Sequence, residues 1–583
     1  MKKMIMNVLK AKVMVKVLLP IYLLTFLPLT TSAAPAYPFP ITITQPDGTE
    51  LTIVLHGDEN CHWATTLDGK ILEYQNGFYR VSADQTPPLP PLKYPTINAV
   101  GSYFPHEGSP RVLIILAAFP DQDFTVTDPK KSFEQYFNST EPLVAYDNRE
   151  DRNICSVVTY FDTVSQGQYT PHFDIYGPVT LPQEMTYYGG SNGAGTDEKL
   201  TQLCKDACEL VQDEVDFSLY DNDGDGKAEL VYVVHAGYGQ NTGGPAESMW
   251  AKCGVISTTI NGTTIIRGGC HAELFRGTTI NGIGTFIHEF SHGMGLPDLY
   301  ITTGGEVATA VNQGMQAFDV MDYGLYNDNG YAPAAYTAWE QEAMGWTTIQ
   351  PLGESLAGLD LKPLIEGGTA YKIQNPDKEN EYIVLENIRR DSLNHSSYGE
   401  GLLVYHIDYY SGSINLGDSP NNTLNHPRVA VVPASGLLFP RGLAGDERPY
   451  TIEEWKDYHA AATFPGTNNV TQLTDEMELP NYCFYVESTS APTADYAPYE
   501  ATTTYTPVPV GHALYHININ PDTGEIAVNF DDDTPPTGIS ASLNDKGEMI
   551  NDKWYTLDGR CISVPSVLPK GIYIHNGKKV MIK

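Results

Sequence analysis

The sequence predicts an α+β chain of several domains: a mixed α/β unit near the middle, a small β unit before it, and β-rich, sandwich-like units after it. Three observations carry this. The 583 residues exceed what one hydrophobic core organises, because cores stop growing beyond about 250–300 residues and chains then divide. Between about 105 and 350, continuous apolar runs such as Val112-Leu-Ile-Ile-Leu116 and Leu230-Val-Tyr-Val-Val234 alternate with helical periodicity. Outside that window, short β-branched and aromatic runs separated by Gly, Pro, Asp and Asn predominate.

The elements follow in chain order. Residues 1–33 read as a signal peptide. Lys2, Lys3, Lys10, Lys12 and Lys16 are followed by the apolar stretch Val17 to Leu29 and small residues at Thr31-Ser-Ala-Ala34. Cleavage is expected after Ala33, and no later stretch is long and apolar enough to span a membrane. From 34 to 104, short β runs (ITIT, ELTIVLHGD, HWATT, KILEYQ, FYRVS) alternate with Asp-Gly and Asn-Gly turns, the signature of an antiparallel unit. Pro87-Pro-Leu-Pro-Pro91 then reads as a linker. Within 105–350, Leu200, Leu203, Cys204, Ala207, Val211 and Val215 recur at spacings of three and four behind a cap at Asp197, predicting an amphipathic helix. Runs such as Glu381-Tyr-Ile-Val-Leu385 predict a β-sandwich-like region over 351–531. Past the acidic turn Asp531-Asp-Asp533, residues 538–583 make a last small β module.

Asp+Glu total 71 against 35 Lys+Arg, for a net charge of −36. Such a surface repels phosphate backbones and anionic lipid, which argues against nucleic-acid binding and a peripheral membrane role. With 41% hydrophobic and 18% charged residues, the acidity does not imply disorder. Eight cysteines are too few for a disulfide framework in a chain this long. Export permits bridges, and Cys253 and Cys270, flanking a hairpin at Asn261-Gly262, are the best-placed pair. Cys204 and Cys208 share a helix face and fit a core.

The chemistry is concentrated in Gly284-Thr-Phe-Ile-His-Glu-Phe-Ser-His-Gly-Met-Gly-Leu-Pro-Asp298. On a helix, His288 and His292 stand one above the other and can present two imidazoles to one ion. Glu289 lies about 100° further round and can act on an attacking water without being a ligand. Phe286, Phe290 and Met294 form the anchoring stripe. Gly295 can take the positive φ of a helix terminus, which returns Asp298 as a third ligand. Three protein ligands leave a fourth position open, as in a catalytic rather than structural zinc site. About two dozen residues later, Phe318-Asp-Val-Met-Asp-Tyr-Gly324 supplies Met321 for the floor of such a site and Tyr323 for a carbonyl oxyanion.

The motif HEFSHGMGLPDLY followed by FDVMDYG resembles the immune inhibitor A family of metzincin-like secreted zinc endopeptidases. The stretches 156–181, 221–240, 334–346 and 381–408 are similar to the same family. The resemblance implies a metzincin-like domain over 105–350, with 351–531 continuing the family region. It further implies Zn2+ on His288, His292 and Asp298, with Glu289 as general base and peptide bonds of proteins, host or matrix proteins among them, as substrate. Asp in place of the better-known third His leaves Tyr300 and Asp322 as rival ligands. The final module resembles C-terminal sorting domains of the type IX secretion system, implying secretion machinery as a partner and release or attachment at a bacterial surface.

Asp221-Asn-Asp223-Gly-Asp225-Gly alternates hard oxygens as a calcium loop does. Tyr232 stands where an EF-hand needs a bidentate Glu, leaving Glu229 to complete a Ca2+ shell. The unit 34–104 is either a propeptide, with Cys61 or Asp58 as a temporary zinc ligand, or an accessory β module. Two other functions fit part of this pattern: a non-catalytic surface protein binding glycoproteins through 351–531, and a zinc hydrolase acting on a non-peptide bond.

Overall fold

The computed structural model describes residues 31–86 apart from 60, then 88, 103–141, 143, 153–190, 199–275, 279–302, 313–390, 393–394, 397–409, 419–423, 425–438, 451–489 and 503–535. In the last module it describes the strands 554–555, 561–562, 571–575 and 578–582.

The described residues begin with a short strand, β1 (Thr31–Ala33), and a five-stranded antiparallel meander: β2 (Ile41–Thr44), β3 (Glu50–Asp58), β4 (Cys61–Thr66), β5 (Ile71–Gln75) and β6 (Phe78–Val81). Its turns fall at the predicted Asp-Gly and Asn-Gly pairs, where Gly48, Gly69 and Gly77 take positive φ. Most of the Pro-rich linker lies outside the described residues.

The central sheet has the order β1-β10-β11-β9-β7-β8, from β7 (Arg111–Ala118), β8 (His172–Thr180), β9 (Lys227–Tyr238), β10 (Lys252–Ile260) and β11 (Thr263–Leu274). β8, β7, β9 and β11 run parallel, while β10 and then β1 add antiparallel at one edge. Both faces are covered, as the continuous apolar runs predict. Val112, Ile114, Leu230 and Tyr232 pack into one core, and Leu113, Ile115, Val231 and Val233 into another. Helices α1 (Pro129–Asn138) and α2 (Val157–Val164) lie between β7 and β8 in the chain, and the short α3 (Met185–Gly189) follows β8. The predicted amphipathic helix is α4 (Leu200–Val211), burying Leu200, Leu203, Cys204, Ala207, Cys208 and Val211. The cap position is Lys199, which makes no side-chain cap bond; Asp197 lies outside the described residues.

The expected Cys253–Cys270 bridge does not form, and Cys270 Sγ donates to Trp250 O instead. Their strands pair with Lys252 opposite Cys270 and Cys253 opposite Gly269. That one-residue offset sends the two side chains to opposite faces, into the two different cores. Cys204 and Cys208 are core residues.

After α5 (Ile283–Gly293) and α6 (Ala338–Ala343), the β-rich region forms. A five-stranded sheet has the order β12-β14-β15-β16-β17. Its strands are β12 (Gln350–Pro351), β14 (Tyr371–Gln374), β15 (Glu381–Ile388), β16 (Gly401–Asp408) and β17 (Val429–Val431). β13 (Leu356–Leu361), β20 (Leu514–Ile519) and β21 (Ile526–Phe530) form a three-stranded sheet, and β18 (Phe484–Thr489) pairs with β19 (Thr503–Val508). Ile383, Leu385, Leu402 and Val404 pack with Leu361, Ile526 and Val528. The alternate residues Tyr382, Val384, Leu403 and Tyr405 join the core of the central domain. The five-stranded sheet is thus a middle layer that fixes the sandwich against the site-bearing domain. Helix α7 (Ile452–Ala460) carries a capping box of Thr451 and Glu454. The last module is a sheet of order β23-β22-β24-β25, from β22 (Trp554–Tyr555), β23 (Cys561–Ile562), β24 (Gly571–His575) and β25 (Lys578–Ile582).

Candidate active site

Every residue of α5 is buried, so its position is set from all sides. Phe286 stacks on Phe290 at 5.3 Å and meets Tyr232 of β9 at 4.7 Å and Phe173 of β8 at 5.6 Å, anchoring the helix to the sheet. Gly284 is required by proximity: a Cβ there would lie 2.0 Å from the Leu325 carbonyl oxygen. Gly295 turns the chain out of the helix with φ +107°. The N–H groups of Gly295 and Leu296 donate to His292 O and Ser291 O, both at 3.0 Å.

That turn brings Asp298 back to the histidines. His288 Nε2 and His292 Nε2 lie 3.2 Å apart, and Asp298 Oδ1 is 3.3 Å from the first and 3.2 Å from the second. Each Nδ1 faces a carbonyl, His288 toward Val320 O and His292 toward Leu296 O, both at 2.8 Å. A carbonyl only accepts, so Nδ1 carries the proton and the Nε2 lone pairs point at each other. Asp298 Oδ1, fully buried, makes no hydrogen bond among the described residues. Three mutually repelling donors held this closely fit a cation. Zinc–nitrogen and zinc–oxygen bonds of about 2.0–2.1 Å in a tetrahedron separate neighbouring ligands by about 3.3 Å, the edge length found here.

The turn bearing Met321 meets the helix and the loop after it through backbone groups. Val320 O fixes the His288 ring, Met321 O accepts from Leu299 N–H at 2.8 Å, and Asp319 Oδ1 accepts from Met321 N–H at 2.7 Å. Burial alone would raise Asp298, but His292 and His288 beside it hold it below the usual carboxylate range. Burial lowers His288 below the ordinary imidazole range. Burial pushes Glu289 well above the carboxylate range, against the lowering effect of a bond from Ala34 N–H.

No motif in the sequence marks that bond. The segment after β1 covers Glu289, with β1 paired antiparallel to β10. Ala34 N–H donates to Glu289 Oε1 at 2.7 Å, and the Tyr300 hydroxyl donates to Ala33 O at 2.6 Å. Trp250 Nε1 donates to Ala34 O at 2.7 Å, and the Tyr326 hydroxyl to Pro35 O at 2.6 Å. The Ala33–Ala34 peptide, the expected leader junction, therefore lies with its nitrogen on Glu289 and its oxygen on Tyr300.

Of the two rival ligands, Tyr300 reaches that carbonyl. Asp322 accepts from Gln316 N–H and Tyr323 N–H, both at 2.8 Å, bracing the turn. The Tyr323 ring lies 6.3 Å from Tyr300 and 5.8 Å from Trp455. Among the described residues, neither expected propeptide ligand joins the group that could hold a metal, which comprises His288, His292 and Asp298. Asp58 Oδ1 accepts from Cys61 N–H at 3.2 Å, and burial raises the Cys61 thiol to about 11. Asp221, Asp223 and Asp225 do come together, with ligand oxygens within 4.8 Å. Glu229 instead accepts from Asn222 and Asp223 N–H and holds the loop's backbone. Sequence reasoning missed Trp250 and Ala34, which carry no motif; the PDLY run did contain Tyr300.

Residues 105–347 match the family model described as immune inhibitor A peptidase M6, catalytic domain. The chain is 23% identical over 421 residues to the pre-pro-metalloprotease PrtV of Vibrio cholerae serotype O1, covering 63% of this chain and 43% of that protein. It is 25% identical over 244 residues to immune inhibitor A of Bacillus thuringiensis subsp. alesti, covering 36% of this chain and 34% of that protein. The chain thus spans less than half the length of these curated relatives.

Proposed function

We propose that this chain, whose residues 105–347 match the immune inhibitor A peptidase M6 catalytic domain, is an exported zinc endopeptidase held latent by its own N-terminal segment. The observation that carries this is the triangle of His288, His292 and Asp298 with Glu289 beside it, touching a peptide nitrogen at 2.7 Å.

Zn2+ on these ligands would lower the pKa of water toward 7 and polarise a carbonyl. The chain's own groups do the rest. A substrate strand pairs antiparallel with the edge of β10, as β1 does, and Trp250 takes a backbone carbonyl beyond the scissile bond. Tyr300, with Tyr323 alongside, holds the carbonyl oxygen as charge develops on it. Glu289 takes the proton of the attacking water and hands it to the leaving nitrogen. No acyl-enzyme forms.

Once the leader is removed after Ala33, residues 34–39 still fill this path, with Ala34 on Glu289 and Trp250, Pro35 on Tyr326 and Tyr37 on Asn241, so the N-terminal unit acts as a propeptide through these contacts rather than through Cys61 or Asp58. Asp221, Asp223 and Asp225 are assigned a bracing Ca2+ beside β9, and the last module a sorting role with secretion machinery. The substrates are proteins, outside the producing cell; among the described residues no helix is long and apolar enough to cross a membrane. The test is a peptide-library digest after removal of the N-terminal unit. Cleavage abolished by a chelator and restored by Zn2+ supports the reading. Turnover of esters or amides other than peptides, with peptides untouched, refutes it.

A further inference from the structure

A second cluster of metal-ligand type lies at the far end of the middle sheet. Glu381 opens β15 and Asp408 closes β16, directly opposite in register, and His426 stands just before β17. One donor atom from each of Glu381, Asp408 and His426 lies within 4.8 Å of the others. All three are buried, His426 to 1% and Glu381 to 0% exposure.

His426 Nε2 is 2.9 Å from Asp408 Oδ2, yet neither ring nitrogen of His426 makes a hydrogen bond among the described residues. A short approach of nitrogen to carboxylate oxygen without donor alignment is also what Asp298 shows toward its two histidines. Glu381 is oriented from behind. Its Oε1 accepts from Tyr485 N–H at 2.7 Å and faces His406 Nε2 at 3.1 Å, and its Oε2 accepts from Asn375 Nδ2 at 2.7 Å. Such outer contacts are what hold metal ligands in place. Tyr485 and Tyr505 cover the His426 ring at 4.4 and 3.9 Å. Lys378 reaches in from the surface, its ammonium on Asp408 and 3.7 Å from Glu381 Oε2. With its side chain 38% exposed, it can yield this place to another cation.

We propose that Glu381, Asp408 and His426 form a second metal centre that takes a borderline divalent cation such as Zn2+ and pins β15, β16 and the entry to β17 beneath the β18–β19 hairpin. The imidazole selects against Ca2+ and Mg2+, which take oxygen ligands. The role is structural: all three ligands are buried, and Tyr485 and Tyr505 cover the His426 ring.

The test is zinc titration of the metal-stripped full-length chain, with bound metal counted after gel filtration. The wild type is expected to hold two tight equivalents and His292→Ala one. That remaining equivalent raises the melting temperature and is lost in His292→Ala/His426→Ala. The near-isosteric Asp408→Asn, in the His292→Ala background, weakens it at least about tenfold, guarding against misfolding of the His426 variant. Lys378→Met keeps it. A single equivalent in the wild type that disappears in His292→Ala overturns the second centre and leaves the catalytic one standing. A single equivalent that disappears only in His426→Ala does the reverse. Equal metal content in His292→Ala with and without His426→Ala overturns the ligand assignment.

Discussion

Latency can be tested by a substitution that touches neither the metal ligands nor Glu289. Tyr37 is 3% exposed, with ring centroids of Phe39, Phe275 and Tyr326 at 5.5, 5.3 and 5.3 Å. Its hydroxyl donates to Asn329 Oδ1 at 2.7 Å and its N–H to Asn241 O at 2.9 Å. Truncating a buried aromatic to Ala removes about 3–5 kcal/mol. At about 1.4 kcal/mol per factor of ten, Tyr37→Ala shifts the equilibrium between filled and open cleft by two to three and a half powers of ten. The assay is hydrolysis of a quenched fluorescent peptide by the intact, zinc-loaded chain, with mass spectrometry confirming that the N-terminal unit stays attached. The variant is expected to turn over peptide well above the parent, approaching the rate of chain cut within 87–100. A folded Tyr37→Ala protein as silent as its parent, while both become active once cut, would refute the latch.

Three other outcomes follow from the geometry. Asp298→Asn removes the only charged donor of the triangle. Since even outer-shell changes at metal sites weaken binding about 10–100-fold, its zinc affinity should fall beyond that range in a chelator competition. Gly284→Ala, which would set a methyl 2.0 Å from Leu325 O, should lower the melting temperature and unseat α5; overpacking of this kind is destabilising by about 1–3 kcal/mol, and an unchanged melting curve would show that the helix is not held there. Glu386, buried between Ala338 N–H and the Tyr405 hydroxyl, is pushed by burial from an ordinary 4.5 to about 7. A folded value above the unfolded one means that its contribution is complete below about pH 4.5 and is lost as pH rises through about 7. Glu386→Gln should therefore flatten part of the fall in thermal stability across that window.

What could be read in the sequence was local. The spacing of His288, His292 and Asp298 around Gly295 is a property of one helix and its turn, so the triangle was legible before any fold. The apolar runs at Val112 and Leu230 announced a sheet covered on both faces because every residue of such a strand must be apolar. Pairings between distant elements were not legible. Nothing near Ala34 says that it meets Glu289, because strand addition at the β10 edge is made by backbone atoms that every sequence possesses. Cys253 and Cys270 looked like a hairpin pair until their one-residue register offset put them on opposite faces. Glu229 was counted toward the calcium shell by spacing alone, whereas its carboxylate satisfies the loop's N–H groups. Glu381, Asp408 and His426 are spread over forty-six positions and converge only because β15 and β16 pair end to end.

The central claim is that Glu289, beside a zinc held by His288, His292 and Asp298, hydrolyses peptide bonds. Its most direct test is casein cleavage by the zinc-loaded chain freed of its N-terminal unit, beside Glu289→Gln prepared identically, with bound zinc counted in both. Equal zinc is expected in the two, with cleavage by the parent and a rate at least about 10²–10⁴-fold lower in the variant. Equal cleavage by both, or a parent that holds its zinc and cuts no protein, would contradict it.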